Sequence, residues 1–431
     1  MRFGLCIVLL FSTSVFASYS EQEWGIAGVM RSATIPFANE SDDDYVNSFV
    51  PMLFFQGETF YLDGLEGGAK LYTHPELDYN LFAILRTRFV DIPRSLQNEA
   101  GGDSADLGFK FQIPFNKYWD FEAELMGDDD IYLHSNFVLS GDYEFGNWQL
   151  EPKFTLRLKS QDFNSKYYAF KQETGESIDG GVDATAAVRA KYHVTSNLYL
   201  LGSIGATYLD SNAYRADIVE ERWQGEAYAG IAFFNDKSTP LRESLSIAPY
   251  LRVAHGWATT SNMGDILFRL ESEKDENDGT LSSIFYGHPL TDELFGYDFD
   301  IYLTPGLIHH WTSDAQGAST EYVVAVKAYY TLNWPTKWRI GLAEGLSYID
   351  KITYMEGKSM ADKGYEPSQL LNYLDVSYDV NLGDLFNKRD WNNIWLGYSL
   401  HHRSAIFESS SQFGRIKGGS NYNTIYLQVD L

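Results

Sequence analysis

A short stretch near the C-terminus, Leu400–Ser404, carries the residue types of a nucleophilic hydrolase. Such an enzyme needs a hydroxyl and an imidazole base within hydrogen-bond reach. In a β-strand, residues i and i+2 share a face, so His402 and Ser404 would point the same way, while His401 and Arg403 face the opposite side. His402 is therefore a candidate base and Ser404 a candidate nucleophile. The interpretation that we prefer is that His401, His402 and Arg403 are interfacial residues that face lipid head groups and phosphates.

Two acidic triplets, Asp42–Asp44 and Asp128–Asp130, offer the oxygen ligands that Ca²⁺ and Mg²⁺ use. Neither triplet has the ligand spacing of a known cation-binding loop. We interpret both as solvated loop tips and keep a weak divalent-cation site as the alternative. The sequence thus predicts no metal centre and no cofactor.

These residues must be positioned by strands, because hydrophobic residues alternate with polar ones along most of the chain. From Trp148 to Lys159 the even positions are apolar and the odd positions are polar or charged. This period of two indicates a strand with one apolar face. The same alternation occurs in further runs at Trp119–Leu125, Leu198–Leu209, Ala227–Phe233, Tyr322–Leu332, Tyr373–Leu382, Ile394–Ser404 and Ile425–Leu431.

A soluble β-sandwich would also alternate, with the apolar face forming its core. Three features favour a membrane barrel instead: run lengths of roughly nine to twelve residues, acidic segments between runs, and aromatic pairs at run ends. Those pairs are Tyr118-Trp119, Phe233-Phe234 and Tyr329-Tyr330. In lipid a sheet must close, because every backbone polar group needs a partner. We predict an all-β, antiparallel transmembrane β-barrel of the Gram-negative outer membrane, with roughly 16–20 strands.

The net charge and the N-terminal segment indicate where the protein is located and which partners it does not bind. The 33 Lys and Arg residues against 59 Asp and Glu residues give a net charge of −26, which argues against nucleic-acid binding. Residues 1–17 combine Arg2, an apolar run and the small residue Ala17, as a secretory signal peptide does. An N-terminal membrane anchor is the alternative. No later stretch is apolar over 18 residues, so we expect no transmembrane helix.

The chain divides into a region 18–234 and a region 235–431. Charged residues and Pro240 follow the strand that ends at Phe234, in the segment Asn235–Ser244. We interpret this segment as an ordinary long loop and leave open whether the strands form one barrel or two. Lumen-side cations would either tune a pore for anions or pair with Glu122 and Glu124 inside a closed barrel. The candidate cations are Arg86, Arg88, Arg157 and Lys159.

Glycine and aromatic residues in the first region resemble the MipA/OmpV family of outer-membrane proteins over about residues 24–234. Trp24–Gly28 resembles the opening strand, Asp42–Tyr45 with Pro51 resembles an acidic loop and the next strand, and Phe60–Gly68 resembles an aromatic-Leu-x-Gly turn. The segments Lys191–Leu209 and Ala227–Phe234 resemble the closing hairpins. The resemblance implies an outer-membrane barrel without catalytic residues, in a family that includes scaffolds for peptidoglycan-processing enzymes.

The His402-x-Ser404 pair is similar to that of outer-membrane lipid A 3-O-deacylases, whose site lies on the outer face of the barrel. Those enzymes carry a Glu at the start of the next strand, where this chain has Gly418–Asn423; the nearest acid is Glu408. We expect a non-enzymatic scaffold or passive pore in the cell outer membrane, with a lipid A acyl-ester hydrolase as the alternative. The expected partners are outer-membrane lipid and lipopolysaccharide, peptidoglycan-processing enzymes, and the barrel-assembly machinery.

Overall fold

The computed structural model describes residues 19–38, 44–92, 104–128, 130–269, 271–362, 368–404 and 419–431, without the side chains of Ser104 and Ser404. The predicted signal peptide therefore lies outside the described residues. So do Asp42, Asp43, Asp129 and Glu408.

The strands close as two antiparallel barrels. Barrel 1 contains β1 (Glu23–Thr34), β2 (Tyr45–Gln56), β3 (Phe60–Gly64), β4 (Glu66–Thr73), β5 (Asn80–Arg88), β6 (Ser104–Asn116), β7 (Trp119–Gly127), β8 (Leu133–Gly141), β9 (Tyr143–Phe145), β10 (Trp148–Lys159), β11 (Gly181–Thr195), β12 (Leu198–Tyr208) and β13 (Trp223–Phe234). Barrel 2 contains β14 (Tyr250–Thr259), β15 (Thr280–Thr291), β16 (Phe299–His310), β17 (Ser319–Leu332), β18 (Trp338–Ile349), β19 (Leu370–Asn381), β20 (Ile394–Ser404) and β21 (Gly419–Asp430).

Each barrel closes by pairing its first strand with its last. In barrel 1, β1 pairs with β13, and the pairing of β10 with β11 completes a ring of twelve strands to which β9 adds a short extension. In barrel 2, β14 pairs with β21 to close eight strands. Closure gives the edge strands the partners that lipid cannot supply. The fold class predicted from the sequence is confirmed.

Both barrels are polar inside and apolar outside. In β10, Phe154 and Leu156 are 52% and 50% exposed, whereas Lys159 is buried in the lumen. A soluble protein would bury the apolar face, so this inverted pattern is that of an outer-membrane barrel. No helix in the described ranges is both long and apolar enough to cross a membrane.

The connections differ at the two ends of the barrels. We call the end where β1 begins and β21 finishes the turn end, and the opposite end the loop end. Loops at the loop end carry α1 (Gln161–Tyr168), α2 (Lys171–Thr174), α3 (Ser211–Tyr214), a π-helical turn Asp265–Arg269 and α4 (Tyr354–Ala361). The turn end carries α5 (Leu382–Leu385) and a 3₁₀ turn Arg389–Trp391.

The segment that we interpreted as an ordinary loop, Asn235–Ser244, instead connects the two barrels at the turn end. Asn235 donates to the backbone carbonyl of Gln22 at 2.9 Å and accepts from the backbone N–H of Trp24 at 2.9 Å. Arg242 forms a 3.2 Å ion pair with Glu21. These contacts fix the linker to the first strand of barrel 1.

The outer faces of the two barrels also pack against each other. Trp24 and Leu53 of barrel 1 form one buried apolar cluster with Leu290, Ile301 and Val326 of barrel 2. Because these side chains point away from both lumens, they replace lipid contacts with protein contacts. The two barrels therefore share an intramolecular interface at membrane depth.

Candidate functional site

The sequence-predicted base lies on the outer face of barrel 2, where a second polar residue contacts it. His402 in β20 is directly opposite Asn421 in β21. The imidazole Nδ1 of His402 and the amide Oδ1 of Asn421 are 2.5 Å apart. The amide Nδ2 of Asn421 donates to the backbone carbonyl of Ser261 at 2.8 Å. Because the amide nitrogen is committed to that carbonyl, the amide oxygen is the atom that faces the ring.

This geometry suits a neutral imidazole that acts as a base. With its proton on Nδ1 donated to the Asn421 oxygen, His402 keeps a lone pair on Nε2. A general base needs that lone pair and a third group that orients the ring. Asn421 can orient the ring, but a neutral amide stabilises an imidazolium less than a carboxylate does. Ser404 ends the same strand two residues later, although its side chain is outside the described residues.

The neighbouring basic residues are not interfacial groups, so that interpretation of His401 and Arg403 is wrong. Both side chains are buried inside barrel 2, because alternation in β20 turns them towards the lumen. Arg403 donates to Glu356 of α4 at 2.6 Å, and His401 lies 3.4 Å from Glu321. Burial raises the pKa of Glu356 to about 6 although Arg403 opposes the shift. No group of His, Cys, Asp or Glu in the described ranges is arranged to hold a metal ion.

Most of the cations that line the described lumen of barrel 1 pair with carboxylates on nearby strands. Arg86 pairs with Glu124 at 2.5 Å and also with Glu66. Lys110 joins the same Glu66 at 2.6 Å. Pairing of Arg86 with Glu124 is one of the two alternatives drawn from the sequence, and the structure adds Glu66 as a shared partner. Two further lumen cations also meet carboxylates, Arg88 at Asp106 and Lys159 at Asp183 and Asp210.

A further ion pair, between Arg189 and Asp63, spans the lumen. Arg189 of β11 donates to Asp63 of β3 at 2.6 and 3.2 Å. Around the ring, β3 and β11 are five strands apart one way and seven the other, so they face each other almost across the barrel. A bidentate guanidinium–carboxylate pair is geometrically specific. It therefore ties opposite walls together across the lumen.

The loop end of barrel 1 is closed by an apolar cap built from loop residues. Phe37 packs on Phe170 with ring centroids 4.8 Å apart. The buried members of the cap are Ile35, Phe37, Val46, Ile92, Ala169, Phe170, Leu209, Ala216 and Val219. They come from four loop-end connections and the adjoining start of β2, so their packing brings these connections together over the lumen. Water and ions do not pass through close-packed apolar side chains.

Charged residues anchor this cap to the barrel rim. Asp128 accepts hydrogen bonds from Tyr167 at 2.6 Å and from Lys166 at 2.9 Å. Burial alone would raise the pKa of Asp128, but these donors hold it below its usual value. Lys166 also contacts Asp130, so an ammonium group lies where the alternative prediction placed a divalent cation. The interpretation of this triplet as a solvated loop tip is wrong for Asp128, which is buried.

The opposite half of the lumen is an open cavity at the turn end. It has a volume of about 680 Å³, and linker residues, including Lys237, line it where it meets solvent. Its walls combine rings and charges from Phe54, Tyr61, Glu122, Lys191, Tyr199 and Phe234. Lys191 lies 4.6 Å from the centroid of the Phe234 ring. Barrel 1 is thus a cup, closed at the loop end and open at the turn end.

Two of these features are not indicated by the sequence. At the start of the final strand, where the deacylase pattern has a carboxylate, the chain has Asn421, an amide whose orientation is fixed by the Ser261 carbonyl. The Arg189–Asp63 pair joins residues 126 positions apart, and no local pattern reports which strands face each other across a ring.

Residues 25–234 match the family model described as "MltA-interacting protein MipA". No curated protein matches the chain. Among solved structures, OprB from Pseudomonas putida is 9% identical over 95% of this chain and 94% of that chain, with a TM-score of 0.25. The OmpT loop-deletion variant from Vibrio cholerae is 9% identical over 96% and 99%, with a TM-score of 0.21. LpxR from Salmonella typhimurium is 8% identical over 69% and 88%, with a TM-score of 0.19.

Proposed function

Because residues 25–234 form a barrel that matches the MipA family, we propose that the chain is a non-enzymatic outer-membrane scaffold. The turn end would face the periplasm, since the short turns, the start of β1 and the end of β21 lie there, as in other outer-membrane barrels. The partner would be a cell-wall enzyme of the kind that the family description names, MltA. The partner would dock at the open mouth of barrel 1.

The cup shape of barrel 1 carries this proposal. A passive pore needs a continuous aqueous path, whereas the apolar cap closes the loop end of the lumen. An open cavity of about 680 Å³ at the turn end gives a partner a concave surface with both rings and charges. The geometry therefore supports scaffolding over passage of solutes.

Site-specific photocrosslinking in intact cells tests the proposal. A photoreactive amino acid would replace Lys237 or Glu144, two exposed residues at the turn end, or Arg215, an exposed residue at the loop end of the same barrel. We expect a cell-wall enzyme to be captured from the first two positions and not from Arg215. Capture of no cell-wall enzyme at either turn-end position, with the barrel folded in the membrane, would exclude the scaffold.

The second candidate function, a lipid A acyl-ester hydrolase, is favoured by one specific observation, the contact between His402 and Asn421. His402 would take the proton of Ser404 as the serine oxygen attacks the ester carbonyl, and would give it to the alcohol as the alcohol leaves. Water would then hydrolyse the acyl–serine ester and release the fatty acid. At the outer face near the loop end, this pair would lie at the depth of outer-leaflet acyl chains.

Mass spectrometry of lipid A from expressing cells separates the two functions. A hydrolase would remove one acyl chain, and His402→Ala or Ser404→Ala would restore it. Asn421→Ala would weaken the reaction, whereas the matched control Asn423→Ala would not, because Asn423 contacts Tyr398 and Ser272 rather than His402. Unchanged lipid A with the protein folded in the outer membrane would eliminate the hydrolase.

A further inference from the structure

A second, smaller cavity lies in barrel 1 between the apolar cap and the lumen ion pairs; we call it the loop-end chamber. Its volume is about 260 Å³. A water molecule occupies about 30 Å³ in the liquid, so several waters or one hydrated small ion fit. The chamber is lined by the guanidinium groups of Arg31, Arg86, Arg88 and Arg157.

Three of these four arginines already have carboxylate partners. Arg31 binds Asp91 at 2.7 Å and Glu226 at 2.5 Å. Arg86 and Arg88 are held by the lumen pairs described above. Arg157 differs: within the described part of the chain it forms no ion pair, and its Nε donates to the neutral amide oxygen of Asn136 at 3.1 Å. One positive charge in the chamber therefore lacks a counter-charge from the described residues.

The groups around Arg157 are suited to an anion. Thr185, Thr207 and Ser203 contribute hydroxyls to the chamber wall. A guanidinium fork prefers a planar or tetrahedral oxyanion, to which it donates two hydrogen bonds. An uncompensated charge in a confined space is costly, and a bound anion removes that cost.

We propose that the loop-end chamber binds a small tetrahedral oxyanion, phosphate or sulfate, with Arg157 as its principal cation. The ion is a free one rather than a lipid headgroup, because the apolar cap separates the chamber from the outer surface. It would enter through the open turn-end cavity and pass the charged side chains of the lumen. This site is independent of the scaffold and of the hydrolase.

Isothermal titration of the purified, detergent-solubilised chain with inorganic phosphate tests the proposal, with sulfate in parallel. We expect saturable binding that Arg157→Gln weakens by about tenfold or more, because hydrogen bonds to charged groups contribute that much. Arg157→Lys should retain part of the affinity, since it keeps the charge but loses the fork. Arg215→Gln is the matched control at the exposed loop end and should bind as the wild type does.

Several results would overturn the proposal. Absence of phosphate binding to the wild-type chain is the first, and wild-type affinity in Arg157→Gln is the second. A second experiment measures binding of the chain to vesicles of an anionic phospholipid. Vesicle binding that depends on Arg157, without binding of inorganic phosphate, would assign the site to a lipid headgroup and overturn the proposal of a free ion. If Arg157→Gln fails to fold, Thr207→Val removes a hydroxyl from the wall and should weaken phosphate binding without changing the charge.

Discussion

The interior of barrel 2 offers the sharpest test of how this protein is stabilised. Asp375 in β19 is 1% exposed and accepts hydrogen bonds from Arg252 at 2.9 and 3.3 Å. Lys327 forms an ion pair with the same carboxylate. A single negative charge thus compensates two buried cations. Asp375→Asn preserves the size of the side chain and removes that charge.

The free-energy cost of Asp375→Asn depends on the contacts that remain around the two cations. Breaking a buried pair by neutralising one partner costs about 3–5 kcal/mol. Arg252 would keep its position 3.9 Å from the ring centroid of Tyr426, and Lys327 would keep its 2.7 Å hydrogen bond to Ser377. These remaining contacts reduce the loss of stability, so we expect a cost at the lower end of that range, about 3 kcal/mol. This corresponds to roughly a hundredfold change in the unfolding equilibrium.

The matched control is Asp63→Asn in barrel 1, which also removes a carboxylate from an arginine. The side chain of Asp63 is 47% exposed and that of its partner Arg189 is 27% exposed. Solvent screens this pair, so the expected cost is about 1 kcal/mol or less. Arg189 also keeps its ion pair with Glu151 at 2.5 Å, so the contrast is between a solvent-screened pair with a second carboxylate and a buried carboxylate shared by two cations.

Reversible urea unfolding in phospholipid vesicles, followed by tryptophan fluorescence, would measure both free energies. Adding Lys327→Met to Asp375→Asn should recover part of the lost stability, because only one buried cation then lacks a carboxylate. Equal free energies of unfolding for Asp375→Asn and Asp63→Asn would refute the reasoning. A double variant less stable than Asp375→Asn would refute it as well.

Three further predictions concern barrel 1. In planar bilayers the chain should give no single-channel current, and regular conductance steps would contradict a closed loop end. Burial by itself would raise the pKa values of Asp128 and Asp210, but their hydrogen-bonded partners lower both. The stability that they contribute is therefore complete above about pH 4 and is lost below it, so proteolysis within residues 160–180 should accelerate at pH 3 and stay constant from pH 5 to 8. Phe170→Ala should cost about 3–5 kcal/mol and expose the same segment to protease, whereas Phe386→Ala, an exposed residue at the turn end, should leave it protected.

Alternation predicted the strands well because lipid and lumen impose opposite demands on neighbouring residues. The run from Trp148 to Lys159 coincides with β10, and the final run, Ile425–Leu431, lies in β21 except for its last residue. The predicted opening strand at Trp24–Gly28 lies in β1, and the Phe60–Gly68 motif forms the hairpin of β3 and β4. Local periodicity is sufficient for these elements.

Contacts across the lumen could not be predicted in the same way. Which residues meet inside a ring depends on strand number and stagger, and both are properties of the closed barrel rather than of any segment. The Arg189–Asp63 pair illustrates this limit, since β11 and β3 are not neighbours in the sheet and neither segment indicates its partner. The contact of His402 with Asn421 can be predicted once the register of β20 against β21 is known, because the two residues are directly opposite on adjacent strands.

The closure of each barrel by its own first and last strands has a consequence for biogenesis. Pairing β1 with β13 joins Gly25 to Phe234, and pairing β14 with β21 joins Tyr250 to Asp430. Each event closes a loop of about 200 residues, and the entropic cost of that closure comes before any stabilisation from the new contacts. Until both seams form, the chain presents unpaired strand edges to its neighbours. One polypeptide must therefore complete two separate ring closures, and a chain interrupted between them would leave a finished barrel tethered to an unfinished one.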